Sequence, residues 1–476
     1  MSRPRASVSL AAACAAALAC LVAPAGAGAA SDTEVSIMDD QLLLDASDAK
    51  LEEVVTRFER LGVDRVRVSA FWASHAPQAR SRRKPGKFNA ASGVDPAYNW
   101  VALDRIVGAV TAHNMRLLIS ITTPAPLWGT QAPDKGNGLY KPDPKEFANY
   151  AEAVAQRYER FPVQYAILNE PNQPGWLQPQ SQGGKLVAPR IYRNLVRAAY
   201  PRIKQRDPSS IVLVGELAPS GRDKRGEREP IRPLEFLRAF GSTSSPPPAD
   251  AIGHHPYSFF DPPTQRSEDP DDAAIGDASR LLATLDKLTS KGAIDAKRGS
   301  KLNVYYTEFG YQTDPPDPFA GISLSRQDRY LQEAAYRVWR NKRIKAYNQF
   351  RLTDGKIGRS QGLRAFNEFQ SGLMFANGRK KPSYEGFATP LVIDPATPRA
   401  GSSVRLWGQA RPGGAHAITV EFRTGDSGAF ERVAQPQTDA RGYFTTKVNA
   451  RAGYYRYSYS GGGTSGTSPA LRLRTR

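Results

Sequence analysis

Two glutamates stand at the ends of two short apolar runs, and the chemistry they could supply is that of paired carboxylates. Glu170 follows Tyr165-Ala166-Ile167-Leu168-Asn169 and precedes Pro171-Asn172, and Glu308 lies in Asn303-Val304-Tyr305-Tyr306-Thr307-Glu308-Phe309-Gly310. Each run reads as a buried strand with its glutamate where the strand should end. A carboxylate in that position is ordinarily a solvated loop residue. Two of them, framed by aromatic and amide side chains, suggest acids facing one cleft. Cleavage of a glycosidic bond uses such a pair: one acid protonates the leaving oxygen, and the other attacks or assists at the anomeric carbon.

Strands that share one end are needed to aim both acids the same way. Candidate strands fall at 35–38, 65–71, 115–121, 163–168, 211–214, 251–253, 302–306 and 346–352. Amphipathic stretches separate them. Residues 48–61 place Leu51, Val54, Val55, Phe58 and Leu61 at helical spacing. Asp143-Pro144 opens another helix, with a capping side chain and a proline at the first helical position. The pattern repeats at 191–203, 278–288 and 327–339. Eight strands alternating with helices predict an α/β fold, a closed (β/α)8 TIM barrel over 31–388. An open doubly wound sheet would carry a glycine-rich turn after its first strand, and none is present. In a barrel, the C-terminal strand ends build the active site.

Past Tyr384 the pattern changes to short alternating runs at 403–407, 417–422, 443–448, 454–459 and 471–474, punctuated by Gly, Pro, Asp and Ser. These predict a C-terminal immunoglobulin-like β-sandwich over 389–476, with 390–398 as a proline-bearing linker. Tyr454, Tyr455, Tyr457 and Tyr459 could form a carbohydrate-binding strip, or could pack the sandwich core. At the N-terminus, Arg3 and Arg5 precede an apolar run and then Ala25-Gly26-Ala27, the pattern of a secretory signal peptide over 1–30. The run is shorter than the ~20 apolar residues of a membrane helix, so a secreted protein without a transmembrane helix is expected. Both cysteines, Cys14 and Cys20, fall inside this segment, which leaves no thiol chemistry for the rest of the chain. A lipoprotein box at Cys20 is one residue out of register.

A net charge of +19 would suit nucleic acid, an anionic cell-wall polymer or an acidic polysaccharide. No basic run interleaved with aromatics favours nucleic acid, and arginines spread over solvated faces give the same total. His254-His255 invites a metal reading, but adjacent residues on a strand point to opposite faces, and no His-Glu-x-x-His occurs among five histidines. No catalytic metal and no cofactor are expected.

With its strand ends taken together, the chain resembles the retaining β-glycosidases of glycoside hydrolase clan A, which include cellulase-like and β-xylosidase-like families. The resemblance rests on Asn169-Glu170-Pro171 after the fourth strand, Thr307-Glu308-Phe309-Gly310 at the seventh, Val66-Arg67-Val68 on the second and His255-Pro256-Tyr257 after the sixth. It implies that Glu170 is the general acid/base and Glu308 the nucleophile of a double displacement on a β-linked oligo- or polysaccharide. It implies also that Asn169 bonds the sugar 2-hydroxyl, that His255 and Tyr257 contact substrate and nucleophile, and that Arg67 keeps Glu308 charged. Trp128 and Trp176 are candidate sugar platforms or loop packing. Two departures stand out. Phe350 occupies the place where many clan members stack a tryptophan on the sugar, and no histidine follows the third strand. A non-catalytic carbohydrate-binding or cell-surface adhesion protein on the same barrel is the alternative, because a fold does not fix a function.

Overall fold

The computed structural model describes residues 32–461 and 463–476. Eight parallel strands build a barrel: β1 (Glu34–Met38), β2 (Arg65–Phe71), β3 (Arg116–Thr122), β4 (Val163–Ile167), β5 (Val212–Leu217), β6 (Ala251–His254), β7 (Asn303–Phe309) and β8 (Ile344–Phe350). They pair in sequence order, and β8 returns to β1, with Ser36 opposite Asn348 on one side and Arg65 on the other. The barrel is therefore closed, as the strand count predicts.

Strand β2 shows how the sequence divides inside from outside. Val66, Val68 and Ala70 belong to the large apolar core beneath the helices. The alternate residues Arg65, Arg67 and Ser69 point the other way, into the barrel, because successive side chains of a strand face opposite sides. There Arg65 pairs with Glu34 at 2.7 Å, and a small apolar layer of Leu118, Ala166, Leu213, Ala251, Tyr305 and Ala346 fills the lumen. Arg67 sits beside Leu118 in register.

The helices follow their expected caps and stripes. Helix α1 (Asp48–Arg60) is capped by Ser47 and buries Leu51, Val54, Val55 and Phe58. After it come α2 (Val101–Ala112) and α3 (Pro144–Tyr158), the latter capped by Asp143, whose carboxylate accepts from the N–H groups of Lys145 and Glu146. Then follow α4 (Ala188–Arg206), α5 (Pro233–Phe240), α6 (Ala278–Ser290), α7 (Leu324–Trp339) and α8 (Pro382–Ala388). Helices α2, α5 and α8 were not among the expected stretches. Among the described residues, no helix is long and apolar enough to cross a membrane. The candidate signal segment lies outside the described residues.

The C-terminal region forms two antiparallel sheets. One contains β9 (Leu391–Asp394), β10 (Ser403–Gln409) and β13 (Tyr443–Asn449); the other contains β11 (Ala417–Arg423), β12 (Glu431–Ala434), β14 (Gly453–Gly461), β15 (Thr464–Thr467) and β16 (Leu471–Leu473). Leu391, Val404 and Leu406 of the first meet Ile418, Val420 and Tyr457 of the second in one core. One expectation is corrected here. The supposed linker carries β9, because its prolines flank Leu391–Asp394 rather than interrupt it. Of the two readings of the tyrosine strip, core packing describes Tyr455, Tyr457 and Tyr459, which are buried, so a wall polymer would find little of it. Trp407 and Tyr443 join the barrel core, the Tyr443 hydroxyl donates to the Thr33 carbonyl at 3.3 Å, and Arg441 pairs with Asp64 at 3.2 Å. Thr33 and Asp64 precede β1 and β2, so the sheets dock at the end of the barrel opposite the two glutamates.

Candidate active site

At the C-terminal end of β4 the chain turns sharply, with positive φ at Leu168 (63°) and Glu170 (36°). Backbone bonds hold the turn: Leu168 N–H donates to Ile121 O at 3.0 Å, and Glu170 N–H to Glu216 O at 3.1 Å. Asn172 latches the following loop, its amide donating to the carbonyls of Ala218 (3.1 Å) and Ile231 (3.0 Å). Glu308 is reached differently. It lies within β7, where the pairing with β8 slips between Tyr306 and Phe309. The two acids face each other: one oxygen of each, together with one ring nitrogen of His255, lie within 4.8 Å of one another.

Their partners differ. Glu308 Oε1 accepts from Arg67 Nη1 at 2.8 Å, and Oε2 from the Tyr257 hydroxyl at 2.9 Å. Glu170 Oε1 lies 2.9 Å from His255 Nδ1, which stands 3.6 Å from Glu308 Oε2. Burial raises the Glu308 carboxyl above the ordinary carboxylate value, against the opposing pull of His255 and Arg67. Burial disfavours a charged His255, but Glu308 and Glu170 outweigh it and raise the imidazole. The same three groups, Glu170, His255 and Glu308, could in principle embrace a cation. Both Glu308 oxygens are already taken by donors, one of them a guanidinium that would repel a metal, so the donor set suits proton transfer better.

A third carboxylate, absent from the sequence expectations, completes the cluster. Glu216 near the end of β5 is fully buried and accepts from Arg67 through both oxygens, at 2.9 and 3.0 Å. Ser120 adds a third donor at 2.5 Å. Burial works against its charge, yet Arg67 holds Glu216 below the usual carboxylate range. The signal was in the sequence, since Val212-Leu213-Val214-Gly215-Glu216 is again an apolar run ending in an acid.

A cleft of about 470 Å³ opens over these groups, lined by Asn169, Glu170, Trp176, Tyr257, Glu308 and Phe350 among the expected residues. Asn169 Oδ1 accepts from Arg67 Nη2 at 2.6 Å, which leaves its amide nitrogen as the group to offer a ligand. Trp176 stacks on Phe71 at 6.3 Å. Three of the candidate site residues lie off the cleft lining. Arg67 and His255 are fully buried and touch the carboxylates instead of lining the cleft. Trp128 is buried elsewhere, its indole N–H bonded to Pro77 O at 3.0 Å and its ring edge-on to Trp72. The lining also includes Asp40, Gln41, Phe259, Arg351 and Phe369, which the sequence did not single out. Asp40 accepts from Ser69 N–H at 3.1 Å, and burial pushes its carboxyl up to about 6. In the loop after Phe259, Asp269 and Asp272 pair with Arg232 rather than line the cleft.

No family model and no curated protein matches the chain. Solved structures do. A GH39 β-xylosidase from Caulobacter crescentus superposes with a TM-score of 0.51 at 16% identity, over 83% of each chain. A monomeric β-xylosidase from Caulobacter crescentus CB15 gives 0.49 at 16% identity, over 89% of this chain and 95% of that one. A hyperthermophilic β-glucosidase from Pyrococcus furiosus gives 0.48 at 16% identity, over 76% and 95%. The likeness to the first is one of fold, a (β/α)8 barrel. What this barrel does is argued from its own side chains.

Proposed function

We propose that the chain is a retaining glycosidase acting on a β-linked oligo- or polysaccharide. The observation that carries this reading is that one oxygen of Glu170 and one of Glu308 lie within 4.8 Å of each other, in keeping with closely spaced carboxyl groups. Retaining enzymes hold their two carboxyl groups about 5–5.5 Å apart, whereas inverting enzymes need about 6.5–9.5 Å to admit a water. Partners divide the roles. Glu308, held by Arg67 and Tyr257, has both oxygens stabilised as a carboxylate and is the nucleophile. Glu170, with neither donor and with access to the cleft, is the acid/base.

In the first step Glu308 attacks the anomeric carbon, the glycosidic C–O bond breaks, and the Glu170 proton passes to the leaving oxygen. In the second, Glu170 takes a proton from water, the hydroxide displaces Glu308 from the glycosyl ester, and both acids return to their starting states. Asn169 binds the sugar ring near the reacting carbon in this reading, with Phe350 and Trp176 as apolar faces beside it, in keeping with all three lining the cleft.

Trapping with a panel of activated 2-fluoro-β-glycosides tests the reading, with the xyloside included because of the activity named for the Caulobacter enzyme. Wild type gains the mass of one sugar at Glu308, and Glu308→Gln gains none. No adduct and no turnover of any β-glycoside would reject the function. The reading extends to the rest of the chain. Strand orders β9-β10-β13 and β12-β11-β14 support an immunoglobulin-like accessory unit, as does Tyr455, which lies near the start of β14 and bonds back to Asn449 O at 3.4 Å. Secretion rests on the N-terminal sequence, and the N-terminus of the exported protein checks it: cleavage after Ala27 or Ala29 is expected.

A further inference from the structure

We propose that Glu216 is a positioning residue that sets how much of the Arg67 charge reaches Glu308, and thereby the ionisation of the nucleophile. The inference rests on the glycosidase reading above.

Arg67 is one guanidinium between two carboxylates, with no exposure to solvent. Its Nε and Nη2 bond Glu216, and its Nη1 bonds Glu308. A guanidinium serving Glu308 alone would form a tight buried ion pair. Such a carboxylate is well stabilised in the ground state, and a stabilised anion is a weaker nucleophile. Sharing the cation lowers that stabilisation while keeping the geometry of the bond. Glu216 is one of the groups that raise the Glu308 carboxyl, in the sense this sharing requires.

The fold is shaped to hold Glu216 in place. It sits at positive φ (43°) after Gly215 (φ 110°), where β5 slips register against β6. Gly253 on β6 leaves room for it: a Cβ there would fall 2.7 Å from Glu216 Cγ. The Glu216 carbonyl accepts from the N–H of Glu170, so one residue orients both acids, by backbone and by side chain. A buried ion pair is a weak device for stability alone, because an apolar replacement of similar volume often does as well. Strained backbone retained beside two reacting groups points to function instead.

The titratable groups around Glu308 are Arg67 from β2, Asp40 after β1, Glu170 after β4, Glu216, and His255 and Tyr257 after β6. Around Glu216 they are Arg67, His255 and Tyr192 of α4. Two substitutions move the balance in opposite senses. Glu216→Gln removes a negative charge and leaves Arg67 to Glu308, so the Glu308 carboxyl titrates lower. Ser120→Ala removes a donor from Glu216, so more of its charge falls on Arg67, and the Glu308 carboxyl titrates higher.

The readout is the acidic limb of kcat/KM against pH, measured with the 4-nitrophenyl β-glycoside that wild type turns over, which reports the free enzyme's base. Glu216→Gln shifts that limb down by about one pH unit or more and lowers the plateau, the range expected for loss of a neighbouring like charge. Ser120→Ala shifts it up by a smaller amount. Circular dichroism establishes that each variant is folded. Should Glu216→Gln not fold, the direction of the Ser120→Ala shift decides alone. Unmoved limbs, or limbs moved the same way, overturn the proposal while leaving the glycosidase intact. A wild type inactive on every β-glycoside removes both.

Discussion

Replacing Arg67 by methionine leaves Glu216 with the Ser120 hydroxyl as its remaining side-chain donor, deep in the barrel. Such a carboxylate survives by taking up a proton. Keeping a carboxyl of ordinary pKa near 4.3 neutral costs about 1.4 kcal/mol for each pH unit above that value, so about 5 kcal/mol at pH 8 and about 1 kcal/mol at pH 5. Removing one partner of a buried ion pair typically costs about 3–5 kcal/mol, in line with the higher figure. Glu308 contributes less, because Tyr257 and His255 remain beside it. In the native protein the Glu216 carboxyl is held below its unfolded value, so its contribution is fully present above about pH 4.3 and is lost only as pH falls through the folded pKa. In the variant its folded pKa is raised, so stability is greatest below the unfolded pKa and is lost as pH rises. The gap between wild type and Arg67→Met therefore widens with pH, by about 4 kcal/mol between pH 5 and pH 8. Urea unfolding at the two pH values measures it. A gap that stays constant within about 1 kcal/mol would show that Glu216 is not held ionised by Arg67.

Tyr257→Phe removes one hydrogen bond to the Glu308 carboxylate and nothing else in the cluster. Such a bond to a charged group contributes about 1.5–3 kcal/mol to the folded protein, so stability should fall by up to that amount in urea unfolding, and steady-state kinetics should show a lower kcat/KM. The two candidate tryptophan platforms should separate cleanly. Trp128→Ala should destabilise by about 3–5 kcal/mol in urea, as expected for a buried aromatic, while Trp176→Ala should chiefly raise KM.

The parts of this fold that can be read from sequence are those where one physical demand dominates a segment. Barrel strands such as Val163–Ile167 are buried on both faces, and their apolar runs are hard to mistake. Helix α3 announces itself by Asp143-Pro144 and a regular stripe. Where two demands fit one pattern, the sequence is silent. Trp128 and Trp176 are each large, apolar and in a loop after a strand, and only the closed structure shows that one is packing while the other faces the cleft. The Pro390–Pro398 region looks like a linker because its prolines are counted rather than placed. Glu216 is a different case: its apolar run ending in an acid is legible, but the slip in register after Gly215 that places the acid inside the barrel is not.

Net charge is a further case where a global quantity says little about the site. The chain carries +19, yet Asp40, Glu170 and Glu308 face one cleft and Glu216 lies just beneath it. Arg351 also lines the cleft, but Asp39 and Glu368 each stand 3.9 Å from it, and Gln41 accepts its hydrogen bond. Charges on the outer surface are screened over about 8–10 Å at ordinary ionic strength. The ionisation of the acids is therefore governed by groups in contact, above all by the one guanidinium that two of them share. On that reasoning, salt should alter how fast a substrate arrives more than where the acidic limb of the rate profile falls. The excess of surface arginine is then no argument for an acidic sugar in the cleft, where a carboxylated ring would meet three carboxylates before it met an unengaged cation.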